Sequence, residues 1–188
     1  MSTFLGTKQG ELFCGDRYLV EHNSNGTLYV VIDAIGHGLE ASRVADIALQ
    51  SIKSTINMKL VNIIEAANSA LIDTRGAVIY FVCYRPEKNK AYYYGLGNIR
   101  CLLIAAAGVV KLSSVPGYFG QKKLAITLNE VEVTSEALLL MFTDGADEIK
   151  VETYPQLQKM NSRHLINTLS SEWSGQDDIC CLCRSFYE

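Results

Sequence analysis

The sequence predicts an α+β fold in which antiparallel sheets are covered by helices. Its 188 residues match the usual size of one domain, so 1–188 is expected to be a single domain. The inferred elements run as a strand, two helices, a strand-rich middle, and then helix and strand. A parallel doubly wound sheet would instead alternate strand and helix throughout. This order therefore favours antiparallel sheets with helices packed on them.

The first elements follow from two different apolar patterns. Thr27–Ile32 is a continuous β-branched and aromatic run, which is typical of a strand buried on both faces. Apolar residues then recur every three or four positions, which predicts a helix with one buried face. Those residues are Ala41, Ala45, Ala48, Ile52 and Ile56. The same spacing predicts a second helix near Val61–Asp73, ended by Arg75-Gly76.

After Gly76 the pattern changes to short apolar runs separated by turns. Arg85–Lys90 is a polar turn, and Gly95 to Asn98 joins two neighbouring strands. Helices are expected between Asp147 and Ser171, with an interruption near Pro155. The strands expected in this part are Ala77–Tyr84, Ala91–Gly95, Ile99–Ala106, Val109–Leu112, Leu124–Leu128, Ala137–Phe142 and Asp178–Ser185.

Composition limits the class of partner. The net charge is -3, from 17 Lys and Arg against 20 Asp and Glu, so the basic excess that nucleic acid or an anionic membrane demands is missing. No run reaches the ~20 apolar residues of a membrane span, and the N-terminus does not resemble a signal peptide. We expect a cytoplasmic protein that binds neither nucleic acid nor membrane.

Six cysteines are present, without the spacing of a disulfide framework or a zinc site. Three of them crowd into the run Cys180-Cys181-Leu182-Cys183, where a strand would place Cys180 on the opposite face from the other two. The expected role is that of small buried residues in a reducing compartment. A redox role for the cluster is the less favoured alternative.

Four acidic segments share one character, since each places aspartate beside glycine or a second acid near an inferred strand end. Hard divalent cations bind carboxylate oxygen, and two neighbouring cations need carboxylates from several segments. Taken singly, each segment is more typical of an ordinary turn. Their joint occurrence favours a metal site. The segments are Gly15-Asp16, Asp33-Ala34-Ile35-Gly36-His37-Gly38, Thr143-Asp144-Gly145 and Gly175-Gln176-Asp177-Asp178.

In this order the segments resemble the metal-dependent protein phosphatase family (type 2C, or PPM), in its short SpoIIE-like bacterial branch. The second segment is similar to that branch's Asp-Gly-x-Gly-His-Gly motif, the third to its second Asp-Gly motif, and Asp177-Asp178-Ile179 to its terminal motif. The resemblance runs from about Cys14 to Arg184. Matches to small stand-alone phosphatases of the stressosome pathway are Cys14-Gly15-Asp16, Arg75-Gly76-Ala77, Gly97-Asn98-Ile99-Arg100 and Ser114-Val115-Pro116-Gly117-Tyr118.

The resemblance implies an α-β-β-α sandwich with two Mn²⁺ or Mg²⁺ ions at one end. Carried over by position, Asp33 would bridge both ions and the Ala34 carbonyl would support one. Asp144 and Asp177 would bind on one side and Asp16 on the other. Water activated by the metals would then attack a phosphoserine or phosphothreonine, with Asp33, Asp144 and Asp177 as the catalytic set. The implied substrate is a phosphorylated STAS-domain protein, either a stressosome scaffold or an anti-anti-sigma factor.

One residue departs from the family pattern, because Ala34 stands where glycine is usual. Alanine keeps the carbonyl, but it disfavours positive φ, and its methyl would narrow the approach of water. His37 is either a proton carrier or a helix-start residue, and Asp178 either orients the site or begins a strand. Arg100 is expected to be structural, and Arg17 to contact phosphate.

Two other functions remain open at this point. The chain could be a catalytically weak or inactive phosphatase fold that binds a STAS-domain partner, which only Ala34 favours. It could also hydrolyse a small phosphoester, although no segment suggests a cap that would enclose a small substrate.

Overall fold

Ten strands form two five-stranded antiparallel sheets within residues 1–154 and 157–186, the part of the chain described by this computed structural model. The strands are β1 Ser2–Gly6, β2 Asp16–Asn23, β3 Gly26–Ala34, β4 Ala77–Arg85, β5 Lys90–Leu96, β6 Arg100–Ala105, β7 Gly108–Leu112, β8 Asn129–Glu132, β9 Leu138–Phe142 and β10 Ile179–Ser185. The helices are α1 Gly38–Ser54, α2 Leu60–Ala70 and α3 Ser162–Glu172.

The sheets are ordered β1-β10-β9-β6-β7 and β2-β3-β4-β5-β8. Their inner faces share one apolar core, to which Val31 and Tyr80 contribute from one sheet and Met141 and Leu182 from the other. The outer face of the second sheet packs on α1 and α2, and the outer face of the first packs on α3. The α+β expectation is confirmed, as an α-β-β-α sandwich of antiparallel sheets.

Apolar periodicity located the central elements correctly. β3 is buried on both faces, as its continuous apolar run predicts. The buried face of α1 carries the predicted Ala41, Ala45, Ala48 and Ile52, whereas Ile56 lies beyond the end of the helix. The second helix ends at Ala70, earlier than predicted, because residues 71–74 form a turn.

The predicted strand Leu124–Leu128 is wrong. This segment has no strand partner, although the alternating Leu124, Ile126 and Leu128 pack against the core below α1 and α2. Alternating apolar residues indicate that one face of an extended segment is buried, but such a segment does not need a hydrogen-bonded neighbouring strand. The ladder forms instead at the polar residues Asn129–Glu132, which pair with β5.

The region before α3 is less helical than expected, with short 3₁₀ turns at Val151–Thr153 and Leu157–Lys159. The predicted interruption near Pro155 lies outside the described residues. Cys180 faces the core between the sheets while Cys181 and Cys183 face α3, as predicted, and all six cysteines are buried thiols outside any disulfide. Every helix in the described part of the chain falls short of the length and apolar character that crossing a membrane requires.

Candidate active site

Five aspartates line one cleft of about 340 Å³ at the end of the sandwich. The ends of four strands explain why they meet there. β2 begins and β3 ends at this edge, and β9 ends beside the start of its antiparallel partner β10. Acidic residues placed at those four strand ends therefore face one space. The cleft is lined by Asp16, Asp33, Ile35, Gly36, His37, Val78, Asn98, Asp144, Asp177 and Asp178.

Asp16 and Asp33 lie directly opposite each other in the antiparallel register of β2 and β3. Asp16 is almost fully buried and accepts a hydrogen bond from Thr143 Oγ1 to its Oδ2 atom at 2.7 Å. The Thr143 hydroxyl also accepts a 2.9 Å bond from the Cys180 backbone N–H. One buried threonine after β9 thus orients a carboxylate of the opposite sheet.

Asp144 lies just after β9 and is held by an amide from another loop. The Asn98 Nδ2 atom donates to Asp144 Oδ2 at 2.9 Å. The chain must also pass very close to its neighbour here, because a Cβ on Gly145 would lie 2.0 Å from the Asp178 carbonyl oxygen. Glycine at 145 is therefore required for the approach of the two acidic segments.

Asp178 ties the N-terminal segment to the cleft. Its two carboxylate oxygens accept backbone N–H bonds from Lys8 at 2.7 Å and from Gly15 at 2.6 Å. The neighbouring Asp177 accepts a bond from the Asp178 N–H at 2.9 Å and is exposed at the cleft. Asp178 therefore fixes backbone next to Asp16, which gives it an orienting role in the structure.

His37 both begins a helix and lines the cleft. It is the N-cap residue of α1, although its side chain makes no cap hydrogen bond. Its Nδ1 atom lies 2.5 Å from Glu11 Oε1, and the ring is half exposed. This contact joins the loop before β2 to the start of α1.

Ala34 differs from expectation in two respects. Among the described residues other than glycine, positive φ occurs at Asp73 and Asn89, so alanine at 34 is unstrained. Its side chain is fully buried in the core beneath α1 and α2 and does not line the cleft. The prediction that this methyl narrows the approach of water is therefore wrong, because the methyl faces away from the cleft.

The carboxylates perturb one another strongly in the metal-free protein. Burial, followed by the charges of Asp144, Asp177 and Asp178, raises the pKa of Asp33 to about 8. Burial and then the Asp33 charge raise the pKa of Asp16 well above its ordinary value. Burial also raises the pKa of Asp144, against the lowering effect of the Asn98 hydrogen bond. Assembling these groups without a cation therefore costs stability.

The donors suit a hydrated hard cation. They are carboxylates, and Mg²⁺ and Mn²⁺ prefer oxygen ligands and retain several waters, for which the cleft has room. The carboxylates ring the space and do not converge on one point. Accordingly, no three His, Cys, Asp or Glu side chains in residues 1–154 and 157–186 already form a metal-binding cluster.

Two arginines have structural roles. Arg100 pairs with Asp147 at 2.8 Å and lies over the Phe142 ring, as expected. Arg17 was expected to contact phosphate, but its guanidinium is engaged within the fold. It bonds Asp46 and Ser42 on α1 and the carbonyls of Cys14 and Asp16.

Sequence reasoning missed the roles of Asn98 and Thr143. Both stand inside quoted motifs, Gly97-Asn98-Ile99-Arg100 and Thr143-Asp144-Gly145, so their positions were the available signal. Their hydrogen bonds reach residues 46 and 127 positions away, which no local pattern specifies.

Sequence comparison identifies a family and a relative for this chain. The family model described as "Stage II sporulation protein E (SpoIIE)" matches residues 23–186. The phosphoserine phosphatase RsbX of Bacillus subtilis (strain 168) is 22% identical over 139 residues, covering 73% of this chain and 70% of RsbX.

Solved structures extend this likeness over nearly the whole chain. One chain, described with the bacterial stressosome as a modular system adapted to control secondary messenger signalling, is 26% identical with a TM-score of 0.84, covering 97% of this chain and 96% of its own. RsbX in complex with magnesium has a TM-score of 0.86 at 21% identity, with coverage of 96% and 92%. The structure of the PP2C phosphatase domain and a fragment of the regulatory domain of SpoIIE from Bacillus subtilis has a TM-score of 0.81 at 16% identity, with coverage of 97% of this chain and 61% of its own.

The family match and the RsbX relative, together with the two packed antiparallel sheets and the acidic cleft at one end, identify the chain as a protein serine/threonine phosphatase of the PPM type. The family model covers most of the chain. The protein belongs to the SpoIIE family of these phosphatases.

Proposed function

We propose that this chain removes phosphate from phosphoserine or phosphothreonine of a STAS-domain stressosome protein, in the manner of RsbX. The observation that carries the proposal is the meeting of Asp16, Asp33, Asp144 and Asp177 at one cleft, from four separate strand ends. Similarity to RsbX and to a chain of the stressosome system supports the choice of partner. The partner is a scaffold or an anti-anti-sigma factor of this type.

The proposed cofactor is a pair of Mn²⁺ or Mg²⁺ ions. The residues that would hold them are Asp33, the Ala34 carbonyl, Asp144, Asp177 and Asp16. Such ions supply activation of a water for in-line attack and neutralisation of phosphoryl charge. Magnesium in the RsbX structure supports this choice of metal.

The chain's own residues position the carboxylates for that task. Thr143 holds Asp16 and Asn98 holds Asp144, so each acid keeps one fixed orientation before substrate arrives. Removing a hydrogen bond that a neighbouring residue makes to a metal ligand commonly lowers metal affinity or activity by about 10–100-fold. The phosphoryl group would enter from solvent, where Asp177 and His37 are exposed.

A covalent route through cysteine is disfavoured by burial. Cys14 is the cysteine next to the cleft in sequence, and burial with the nearby Asp16 charge raises its pKa to about 12. A thiol with that pKa supplies almost no thiolate nucleophile near neutral pH. The absence of disulfides among the six cysteines instead supports a reducing, cytoplasmic location. We further propose that 1–188 acts as a single phosphatase domain, because the sheets share one core.

The test is phosphate release from a phosphorylated STAS-domain protein, measured with manganese and after chelation. We expect release that depends on metal and disappears in Asp33→Asn. Binding of the phosphorylated protein without release, at saturating manganese, would instead identify an inactive binding module. Release from small phosphoesters but from no phosphoprotein would identify a small-molecule hydrolase.

A further inference from the structure

Four exposed apolar side chains lie on two segments of the chain that meet beside the acidic cleft. Leu12 is 88% exposed, and Phe13, Ile35 and Leu39 are between 42% and 45% exposed. Ile35 itself lines the cleft, so this apolar surface reaches the site where the phosphate would bind. We call these four residues the apolar edge.

The fold brings the two halves of this edge together. Glu11 Oε1 lies 2.5 Å from His37 Nδ1, which joins the loop carrying Leu12 to the segment carrying Ile35 and Leu39. The packing is close, since a Cβ on Gly38 would lie 2.8 Å from Glu11 Oε2. Gly38 has φ +74, a conformation that glycine adopts readily.

We propose that the apolar edge is the docking surface for a folded phosphoprotein that carries exposed apolar side chains beside its phosphorylated residue. This proposal rests on the proposed phosphatase function. The cations proposed for the five-aspartate cleft would attract the phosphate alone, and a net charge of -3 gives the chain no general attraction for the protein around that phosphate. Burial of apolar side chains next to the cleft would supply the affinity for that surrounding protein surface.

The position of the edge also specifies the kind of substrate. A small phosphoester or a short phosphopeptide can enter the cleft without covering Leu12 or Leu39. A folded protein that delivers a phosphoserine to the cleft must cover the surface beside it, including Ile35. The apolar edge therefore selects between substrates of different size that undergo the same chemistry.

The experiment compares Leu12→Ser and Leu39→Ser, singly and together, on three probes. These are a phosphorylated STAS-domain protein, a phosphoserine peptide from the same sequence, and p-nitrophenyl phosphate. Met58→Ser is the matched control, because Met58 is 48% exposed and lies beyond the far end of the 17-residue α1, about 25 Å away along its axis.

We expect wild type to have a higher kcat/KM on the folded protein than on its peptide. The double variant should lose at least tenfold on the folded protein and stay within twofold on both small probes, with an unchanged Tm. Met58→Ser should match wild type on all three. Equal rates on protein and peptide, or an equal loss on every probe, would overturn the docking surface.

Two further outcomes separate this proposal from others. If wild type hydrolyses none of the probes, the proposed function fails. The affinity for the phosphorylated protein, measured by calorimetry, then tests the docking surface. The proposal stands only if the double variant binds that protein at least tenfold more weakly than wild type does. If Leu12→Ser converts a dimer of this chain into a monomer, the edge joins two copies and the proposal is wrong.

Discussion

Asp33→Asn should abolish phosphatase activity and at the same time stabilise the metal-free protein. In the folded, metal-free state the pKa of Asp33 is raised to about 8 by burial and by the neighbouring aspartates. An unfolded aspartate has an ordinary pKa near 3.9. The folded protein therefore holds this proton over the interval from about pH 4 to 8 while the unfolded chain releases it.

The sign and size follow from proton linkage. Because the folded state binds more protons in that interval, stability falls as pH rises through it. Within that interval each pH unit lowers the free energy of unfolding by about 1.4 kcal/mol. The loss of stability at pH 7 is therefore roughly 2–4 kcal/mol after allowance for solvent screening. Asparagine cannot ionise, so Asp33→Asn removes this loss of stability. For a chain of this length we expect a gain of about 5–15 °C in Tm.

Thermal melts of wild type and Asp33→Asn, in chelator at pH 4 and pH 7, would measure this effect. The two proteins should converge at pH 4 and separate at pH 7, and saturating manganese should stabilise wild type more than the variant. Glu130→Gln is the control, since Glu130 pairs with Lys90 at an exposed sheet edge and should alter neither Tm nor phosphate release appreciably. Equal melts at pH 7, or near-normal turnover by the variant, would refute the reasoning.

Three other substitutions test the framework of the cleft. Asn98→Ala removes the hydrogen-bond donor to Asp144, so the manganese concentration that gives half-maximal activity should rise about tenfold. An unchanged manganese titration of activity would contradict that role. Gly145→Ala drives a Cβ into the Asp178 carbonyl, so activity should be lost and Tm should fall by more than about 5 °C, which a melt checks directly. Ala34→Gly removes a buried methyl and adds chain entropy, costing about 1–2 kcal/mol in denaturant melts, while manganese affinity should stay within twofold.

Elements with strong apolar patterns could be predicted from the sequence, and elements defined by their partners could not. β3 and α1 follow directly from a buried run and a helical period. β1 and β2 were not predicted, because Ser2–Gly6 is short and Asp16–Asn23 has mixed polarity, so their strand character comes from pairing with β10 and β3.

The candidate site divides in the same way. The order of the acidic segments, with the family resemblance, singled out Asp16, Asp33, Asp144 and Asp177, and all four line the cleft, while their role as metal ligands stays a prediction. Local sequence could not show that the Ala34 methyl faces the core, because that depends on which face of β3 is covered by α1 and α2.

The long-range hydrogen bonds at the cleft show that the site can form only when the sandwich closes. Asp178, just before β10, accepts a hydrogen bond from the Gly15 N–H, 163 residues away and next to the first residue of β2. Thr143 after β9 bonds Asp16 across 127 residues. Both bonds join one sheet to the other at the end where the carboxylates repel each other. Separating the sheets at that end would relieve the repulsion between the carboxylates, but it would also break these hydrogen bonds. The core shared by the two sheets must therefore hold the carboxylates together until a cation neutralises their charge.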